Sequence, residues 1–410
     1  MLLGLLLVGC GSSAVAQPHA SATPSSVSSP TASPSATATP KVTPSPAAAN
    51  LYAVLEAPGQ YEQNTTVAIA GLDGYARAKT HFTPRSYPYM PDAAVVQAPE
   101  AHVAAGVVYF VDGRGVVRTL ASSGVVRQVA VFPMTQRQQE ISFAVSPDGK
   151  RLMAAILTLP SVGAVAPGAP WPTMIGPWKL EVARADVGGA TVTLHKWQSA
   201  TEPGCLTASC PLPHSFANIV MAGWDAAGPV AVVGSHYSTQ NPIFDGQSFF
   251  GGHFSNIDMT TGLPGSMLGQ CQDDNAGPWS VGLDGATTCA RWSSNDTGEV
   301  TTTVVTVDSP GKPIWMPTQI GDNSSFSGDF VLSTDSNSLA ADGAVMQRSG
   351  STLAINGYFS PQGWLDAGTL IGSQRDKTDP NKSVMAYLHL SNPTKPITLG
   401  FVGSFVGTIR

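Results

Sequence analysis

The residues of this sequence that are able to bind a metal or transfer a proton are scattered along the chain. Eight histidines occur, and two of them, His236 and His253, fall in one segment rich in Tyr and Phe. Asp273-Asp274-Asn275 offers the oxygen ligands that Ca²⁺ prefers, but it lacks the spaced ligand series of a calcium-binding loop. No Gly-x-Ser-x-Gly, His-Glu-x-x-His, phosphate-binding or dinucleotide-binding motif is present. We therefore predict no catalytic residue, no cofactor and no metal site, and a function other than catalysis is favoured.

The first reactive side chain is a cysteine that follows an apolar run. Residues 2–8 are almost wholly apolar, and Leu7-Val8-Gly9-Cys10 follows. This pattern resembles the lipobox of bacterial lipoproteins. The resemblance implies that residues 1–10 are a lipoprotein signal peptide with its lipobox Cys, that Cys10 carries lipid, and that the chain is anchored to the bacterial membrane. A signal peptide normally begins with positive charge, and Met1 is followed by none, so we expect the translation start to lie upstream.

The next forty residues have the composition of a tether. Residues 11–50 are almost all Ser, Ala, Thr, Pro, Val and Gly, and Lys41 carries the single formal charge. Such a segment buries too little apolar surface to offset the entropy of ordering, so we expect disorder. Its prolines favour extended backbone at up to ~3.1 Å per residue. The tether would hold the following domain outside the membrane, exposed at the cell surface.

Four cysteines remain after Cys10, an even number that suits disulfides in an oxidising compartment. We predict the pairings with the shortest loops, Cys205–Cys210 and Cys271–Cys289. A four-cysteine zinc site is the alternative. The four and seventeen intervening residues do not match the two-residue spacing of usual zinc knuckles, which favours disulfides.

Composition excludes some classes of partner. Charged residues make up 12% of the chain, against roughly 25% in an average soluble protein. The formal net charge is −6, and no Lys/Arg cluster occurs. Nucleic-acid binding needs a basic surface, so we expect no nucleic-acid partner. The 42 Gly and 33 Pro are typical of a turn-rich β protein.

From Leu51 onward the pattern is one of short β-strands. Runs such as 106–111, 125–132 and 300–307 are rich in β-branched and aromatic residues, and turn signals separate them. Ser146-Pro147-Asp148-Gly149-Lys150 lies between two such runs, with Pro, Asp and Gly in the order that a tight turn needs. This segment resembles the turn that joins the first two strands of a blade in TolB-like and WD-like β-propellers. Degenerate versions occur at Trp224-Asp225, Leu283-Asp284-Gly285, Ser333-Thr334-Asp335 and Trp364-Leu365-Asp366.

The resemblance implies that residues 51–410 form one all-β domain, a β-propeller. The turns divide the domain into units that start near 51, 103, 141, 217, 278, 328 and 358. Because repeats of this kind take about 40–50 residues, we predict about seven four-stranded blades, with six to eight also allowed. We expect the strands near Leu51 and at 401–409 to share a blade and close the ring. Two β-sandwich domains in series are the competing fold.

Long insertions rich in aromatic residues and Pro are the remaining candidates for function. Propellers bind partners with loops on one face, and aromatic side chains are enriched at binding hot spots. The alternative is that these rings pack the loops onto the blades. The candidate binding-loop aromatics are Tyr87, Tyr89, Trp171, Trp178, Tyr237, Phe249 and Phe250.

Two main hypotheses of function follow. The favoured one is a membrane-anchored binding or scaffolding module for a protein, peptide or glycan. The other is an extracellular hydrolase or lyase with its site in the central channel. A sensor or assembly component beside a transporter is a third hypothesis. Convergent carboxylates or a His/Asp cluster in the channel would favour the enzyme, whereas an apolar or hydroxyl-lined channel would favour the binding module.

Overall fold

The computed structural model describes most of the chain from Leu51 onward. The described residues are 51–57, 64–83, 101–136, 139–158, 161–165, 172–175, 179–198, 217–236, 249–272, 276–281, 287–294, 300–306, 313–315, 331–333, 335, 337–379 and 382–410. Within 161–175, 234–254 and 266–315, and at 217, 218 and 232, the description covers the backbone of the strands alone. Cys10, the tether 11–50, Cys205 and Cys210 lie outside the described residues.

The described residues form thirty β-strands. In chain order they are β1 (Tyr52–Ala57), β2 (Thr65–Gly71), β3 (Ala76–Phe82), β4 (Ala101–Ala104), β5 (Val107–Val111), β6 (Val116–Leu120), β7 (Val126–Val131), β8 (Gln139–Val145), β9 (Arg151–Thr158), β10 (Ser161–Val165), β11 (Pro172–Ile175), β12 (Lys179–Asp186), β13 (Thr191–Gln198), β14 (Ala217–Trp224), β15 (Pro229–His236), β16 (Phe249–Ile257), β17 (Pro264–Gln272), β18 (Ala276–Val281), β19 (Thr287–Ser294), β20 (Val300–Thr306), β21 (Pro313–Trp315), β22 (Val331–Leu332), β23 (Ser338–Ala341), β24 (Ala344–Gln347), β25 (Thr352–Ala354), β26 (Phe359–Asp366), β27 (Thr369–Arg375), β28 (Ser383–His389), β29 (Ile397–Thr398) and β30 (Ser404–Ile409). Among these residues, no helix has the length and apolar character needed to cross a membrane.

Within the described residues, the strands form seven four-stranded antiparallel sheets and one separate two-stranded sheet, β10–β11. In order from first to fourth strand, we name them sheet 1 (β30, β1, β2, β3), sheet 2 (β4, β5, β6, β7), sheet 3 (β8, β9, β12, β13), sheet 4 (β14, β15, β16, β17), sheet 5 (β18, β19, β20, β21), sheet 6 (β22, β23, β24, β25) and sheet 7 (β26, β27, β28, β29).

The sheets are arranged in a ring with their first strands innermost. The first strands contact one another in the order β26, β30, β4, β8 and β14, and again in the order β18, β22 and β26. Sheets 4 and 5 meet where β17 contacts β18, β19 and β20. Short sheets that repeat around one axis define a β-propeller, in which the first strands surround a central channel. The predicted fold class is therefore confirmed, and the alternative of two β-sandwich domains is wrong.

The ring is closed by the last strand of the chain. β30 pairs antiparallel with β1, and Tyr52 lies opposite Ile409 in this pairing. Gln362 of sheet 7 supports the join, because its Oε1 accepts a hydrogen bond of 2.9 Å from the Phe405 backbone amide. The prediction that the first and last strands share a sheet is confirmed.

Alternation of side chains explains why the inner strands are almost wholly apolar. On β9, Leu152, Ala154 and Ile156 pack against sheet 2, whereas the residues between them, such as Met153, pack against sheet 4. Successive side chains of a strand point to opposite faces, so a strand between two sheets needs apolar residues at every position. Similar apolar cores lie between sheets 1 and 2, sheets 6 and 7, and sheets 7 and 1. Each fully buried large apolar side chain contributes about 1.5–3 kcal/mol.

The Ser-Pro-Asp-Gly turn lies where the resemblance placed it, between β8 and β9 of sheet 3. Ser146 Oγ donates a hydrogen bond of 2.6 Å to Asp148 Oδ1 and accepts one of 2.9 Å from the Arg151 amide. Gly149 takes a φ of +69°, a conformation that L side chains rarely adopt. The Ser333–Asp335 turn between β22 and β23 has the same Ser-to-Asp hydrogen bond, also of 2.6 Å.

The predicted unit boundaries agree with the first strands. The strands β4, β8, β14, β18, β22 and β26 begin within three residues of the predicted starts near 103, 141, 217, 278, 328 and 358. The unit predicted from residue 51 begins with the second strand of its sheet, because β30 supplies the first. The number of blades, which we expect to be about seven, stays a prediction.

Candidate functional site

The two sides of the propeller differ in the length of their connections. The first-to-second and third-to-fourth connections of each sheet lie on one side, here called the turn side, and none exceeds the seven residues of 390–396. The second-to-third connections and those between sheets lie on the other side, here called the loop side. The strand ends that flank every connection of more than seven residues between strands of the seven sheets lie there; these connections are 83–100, 159–178, 199–216, 237–248 and 316–330.

Contacts between sheets 2 and 3 show that their turns share a side. The Tyr109 hydroxyl donates a hydrogen bond of 3.0 Å to the Gly149 carbonyl, across the two sheets. A Cβ added at Gly149 would lie 2.9 Å from the Cβ of Ala105, which belongs to the first-to-second turn of sheet 2. The first-to-second turns of sheets 2 and 3 therefore lie side by side.

The chain ends of the folded domain lie on the turn side. In sheet 1 the first and second strands are β30 and β1, which no turn connects. Tyr52 begins β1 opposite Ile409, near the end of β30. The two ends thus occupy the place of the missing turn, so the chain before Leu51 joins the propeller on the side away from the long connections.

By sequence, the candidate aromatic residues fall within, or at the end of, connections whose flanking strand ends lie on the loop side. Phe249 and Phe250 begin β16, where they pair with His236 and Ser235 of β15. We predicted them in a loop, and that placement was wrong, because the strand starts two residues before the loop was expected to end. Tyr87, Tyr89, Trp171, Trp178 and Tyr237 lie outside the described residues, within connections 83–100, 159–178 and 237–248.

The predicted disulfides and metal ligands are described only in part. The backbones of Cys271 and Cys289 lie on β17 and β19, two strands of neighbouring sheets that contact each other. A Cys271–Cys289 disulfide stays a prediction, as does Cys205–Cys210. Among the described residues, no group of three or more His, Cys, Asp or Glu side chains is placed to hold a metal ion. Asp273, Asp274 and Asn275 lie outside them.

Ionisable residues are rare on the strands that surround the axis. The seven first strands carry three: His102 on β4, Glu140 on β8 and Asp366 at the end of β26. Asp366 belongs to a tight turn, where its carboxylate accepts a 2.8 Å hydrogen bond from the Gly368 amide. Other partly exposed positions on these strands are apolar, hydroxyl or amide residues such as Ile141, Ser360 and Gln362.

His102 is held in one orientation by Phe143 of the neighbouring first strand. The two rings meet edge to face at 89°, with centroids 4.7 Å apart. The imidazole also hydrogen-bonds to the Phe143 backbone, and burial lowers its pKa to about 4. Since Nε2 is buried without a hydrogen-bond partner, Nδ1 is the donor. His102 is therefore neutral at pH 7, with an unpaired acceptor at Nε2.

Glu140 is the second ionisable residue near the loop-side end of the first strands. It is partly exposed, as is His102, but burial of its carboxyl raises the pKa to about 8. Glu140 is thus mostly protonated at pH 7. Ionisable groups whose pKa is strongly shifted by burial are enriched at functional sites. We did not single out His102 or Glu140 from the sequence, although each lies one residue before the predicted start of a unit, near 103 and 141.

Comparison with known proteins supports no family assignment. No model of a known protein family matches this chain, and no curated protein matches it in sequence. An oligogalacturonate lyase solved in complex with manganese is similar in structure, with a TM-score of 0.44, 9% identity and coverage of 79% of this chain and 82% of the lyase.

Two further solved structures are also similar to this chain. BamB from Moraxella catarrhalis has a TM-score of 0.33 and 13% identity, covering 82% of this chain and 81% of BamB. The putative TolB from Agrobacterium tumefaciens has a TM-score of 0.33 and 11% identity, covering 87% of this chain and 91% of that protein. At these TM-scores and identities, no conclusion on activity or partners follows.

Proposed function

We propose that this protein is a lipid-anchored, extracytoplasmic β-propeller that binds a protein, peptide or glycan of the cell envelope through its loop side. The observation that carries the proposal is the segregation of connections. Those longer than seven residues between strands of the seven sheets lie on the loop side, and the chain ends lie on the turn side. Loops positioned by a rigid scaffold are where binding residues concentrate.

The position of the chain ends supports binding in the anchored state. The tether predicted at 11–50 joins β1 on the turn side, beside the end of β30. The predicted tether therefore attaches on the side opposite the proposed binding side. Lipid on Cys10 is part of the proposal, and labelling with an acyl-chain analogue tests it. Wild type should label, whereas Cys10→Ser should not.

An extracellular hydrolase or lyase with its site at the axis is less well supported. Acid–base cleavage of glycosidic bonds usually needs a pair of carboxyl groups. The first strands offer Glu140, with its raised pKa, and Asp366, which is engaged in its own turn on the turn side. These two residues lie towards opposite ends of the axis, so the first strands do not supply such a pair.

Paired alanine variants test the proposed binding side in the full-length anchored protein. The pairs Trp171→Ala with Trp178→Ala and Tyr87→Ala with Tyr89→Ala alter the loop side. Tyr75→Ala is the matched control, because Tyr75 is 70% exposed in a third-to-fourth turn on the turn side. We expect at least one loop-side pair to reduce recovery of cross-linked envelope partners by roughly tenfold, with no change for Tyr75→Ala. Unchanged recovery for both pairs would contradict the proposal.

A further inference from the structure

Tyr358 presents an aromatic ring to solvent on the loop side of the propeller. It lies in the connection between β25 and β26 and is 46% exposed. Its amide donates a hydrogen bond of 2.9 Å to Asn356 Oδ1, and its carbonyl accepts one of 2.8 Å from the Arg375 amide at the end of β27. The next residue, Phe359, is buried in the core between sheets 6 and 7. The backbone therefore fixes the Tyr358 ring at the loop-side end of sheet 7, outside this core.

Polar side chains from sheets 6 and 7 lie beside this residue. Asp342, in the second-to-third turn of sheet 6, lies 3.4 Å from the Arg375 guanidinium and accepts a hydrogen bond of 2.7 Å from the Ser360 hydroxyl. The side chains of Asp342 and Arg375 are each about half exposed, at 51% and 50%. These contacts use one guanidinium N–H group and a part of the carboxylate's lone pairs, so both side chains are able to bind the hydroxyls of a ligand as well.

Lys377 places a positive charge over the Tyr358 ring. Its Nζ lies 5.5 Å from the ring centroid, within the range of a cation–π interaction. Lys377 is exposed in the second-to-third connection of sheet 7, directly after β27. No carboxylate of the described residues forms an ion pair with it, whereas Lys382 in the same connection pairs with Asp379 at 2.9 Å. The ammonium at the ring is thus able to pair with an anionic ligand.

The carboxylate next to Lys377 in the chain shapes the connection that carries it. Asp376 Oδ1 accepts hydrogen bonds from the Thr378 hydroxyl at 2.6 Å and from the amides of Thr378 and Asp379 at 2.7 and 3.1 Å. These hydrogen bonds, that from the Thr378 hydroxyl foremost, hold the pKa of Asp376 below its ordinary value. The ionised carboxylate therefore stabilises the local turn from which Lys377 reaches the ring.

We propose that Tyr358, Lys377, Arg375 and Asp342 form a binding site for an acidic sugar, a pyranose that bears a carboxylate. The ligand carboxylate pairs with the Lys377 ammonium. The C–H groups of the sugar pack on the exposed part of the Tyr358 ring, whose face is apolar and carries partial negative charge. Sugar hydroxyls accept from Arg375 and donate to Asp342. The inference rests on the proposed function in one respect, the use of the loop side for binding.

The hydrogen-bonding groups of this site favour a sugar over a peptide strand. An extended peptide that adds to a sheet is held by backbone donors and acceptors. At Tyr358 both backbone groups are already used, the amide by Asn356 and the carbonyl by Arg375. The groups that face a ligand are therefore side chains, a ring with donors and acceptors around it, which match the alternating C–H and hydroxyl groups of a pyranose.

Saturation-transfer NMR on the full-length protein with three probes tests the site. Glucuronate carries both the pyranose ring and the carboxylate, glucose lacks the carboxylate, and acetate lacks the ring. We expect glucuronate to bind in a saturable way. Glucose and acetate should each bind about tenfold more weakly, because each loses one of the two main contacts.

Variants at exposed positions separate the proposed contacts from a structural role. Tyr358→Ala and Lys377→Gln should each weaken glucuronate binding by about tenfold. Tyr358→Phe keeps the ring and should bind as wild type does. Lys79→Gln is the matched control, because Lys79 is exposed on the outer strand β3 of sheet 1, and binding should not change. A thermal unfolding curve for each variant confirms that it is folded.

The proposal would be overturned by the absence of saturable glucuronate binding, by equal binding of glucose and glucuronate, or by unchanged binding in both Tyr358→Ala and Lys377→Gln. Its failure is distinguishable from failure of the proposed function. If glucuronate does not bind while the alanine pairs at 87 and 89 or at 171 and 178 reduce partner recovery, this site alone is rejected. If glucuronate binds as expected while neither alanine pair reduces recovery, the proposed function alone is rejected.

Discussion

Tyr52 and Ile409 lie opposite each other in the pairing of β1 with β30, so residues more than three hundred positions apart complete one sheet. The join brings sheet 1 against both of its neighbours. Leu55 packs with sheet 7, and Val54, on the opposite face of the same strand, packs with sheet 2. Closure of the ring therefore depends on the last residues of the chain.

Because β30 approaches β1 closely, we expect one glycine beside β30 to be sensitive to substitution. Gly403 has a φ of +145°, and a Cβ there would lie 2.4 Å from the Glu56 carbonyl oxygen. We expect Gly403→Ala to lower the free energy of unfolding by about 1–3 kcal/mol through strain at this φ and displacement of the strand. Gly106→Ala is the control, because its φ is +74° with no atom within 4 Å of the added Cβ. Urea unfolding of both variants measures the difference, and an equal loss would contradict a close approach at Gly403.

Substitution of Ser146 measures how much the repeated turn contributes to the stability of the fold. Its buried hydroxyl makes two hydrogen bonds, to Asp148 Oδ1 and from the Arg151 amide. Ser146→Ala leaves a carboxylate oxygen and an amide without this partner, so we expect a loss of about 1–2 kcal/mol in unfolding free energy. Ser349→Ala, at an exposed serine that bonds Ser351 at 3.0 Å, should cost much less. Similar losses for the two variants would show that the Ser146 hydroxyl is not a structural link.

Replacing the buried carboxyl of Glu140 should increase the stability of the protein. The carboxyl ionises near its ordinary pKa of 4.5 in the unfolded chain and near 8 in the folded protein. Between these values the folded state binds a proton that the unfolded state lacks, so stability falls as the pH rises through this range. We expect Glu140→Gln to be more stable than wild type by about 3 kcal/mol at pH 7 and nearly unchanged at pH 4.

A carboxylate with a partner supplies the control for Glu140. Glu181 on β12 lies 2.9 Å from the Lys196 ammonium, so its ionised form has a partner in the folded state. Glu181→Gln should give no gain at pH 7. Denaturant unfolding at both pH values measures the effect, and a pH-independent difference for Glu140→Gln would contradict a buried neutral carboxyl.

The contribution of His102 to stability should depend on pH in the opposite direction to that of Glu140. Its pKa falls from the ordinary 6.5 to about 4 in the folded protein. Stability associated with this group is complete above 6.5 and is lost as the pH falls towards 4, because the unfolded chain then binds the proton more readily. Relative to wild type, His102→Phe should therefore gain about 2–3 kcal/mol between pH 7 and pH 4.5. A constant difference across that range would show that His102 titrates normally.

The fold was predictable because its main signals are local. Ser146, Pro147, Asp148 and Gly149 specify a turn by their own backbone preferences and hydrogen bonds. Strand runs between such turns need only apolar patterning, so the first strands could be located within three residues. Closure by the strand at 404–409 followed from the need to hide sheet edges.

The candidate site was less predictable, because its properties arise between sheets. Nothing in the segment around His102 indicates that Phe143, forty-one positions later, holds its ring. The raised pKa of Glu140 depends on burial by strands that are distant in sequence. The segregation of connections by side required the strand order, which no single motif contains. Phe249 and Phe250 were misplaced because an aromatic pair fits a loop or a strand edge equally well.

Site-specific photo-cross-linking of the anchored protein in cells shows which side of the propeller contacts a partner. A photoreactive phenylalanine analogue at position 171 reports on the loop side, and the same analogue at position 75 reports on the turn side. We expect discrete adducts with an envelope protein or glycan from position 171 and none from position 75. Further loop-side probes at positions 87 and 237 guard against a single poorly placed analogue. Binding through the loop side would be contradicted by adducts from position 75 alone, by equal adducts from positions 75 and 171, or by no adducts from positions 87, 171 and 237.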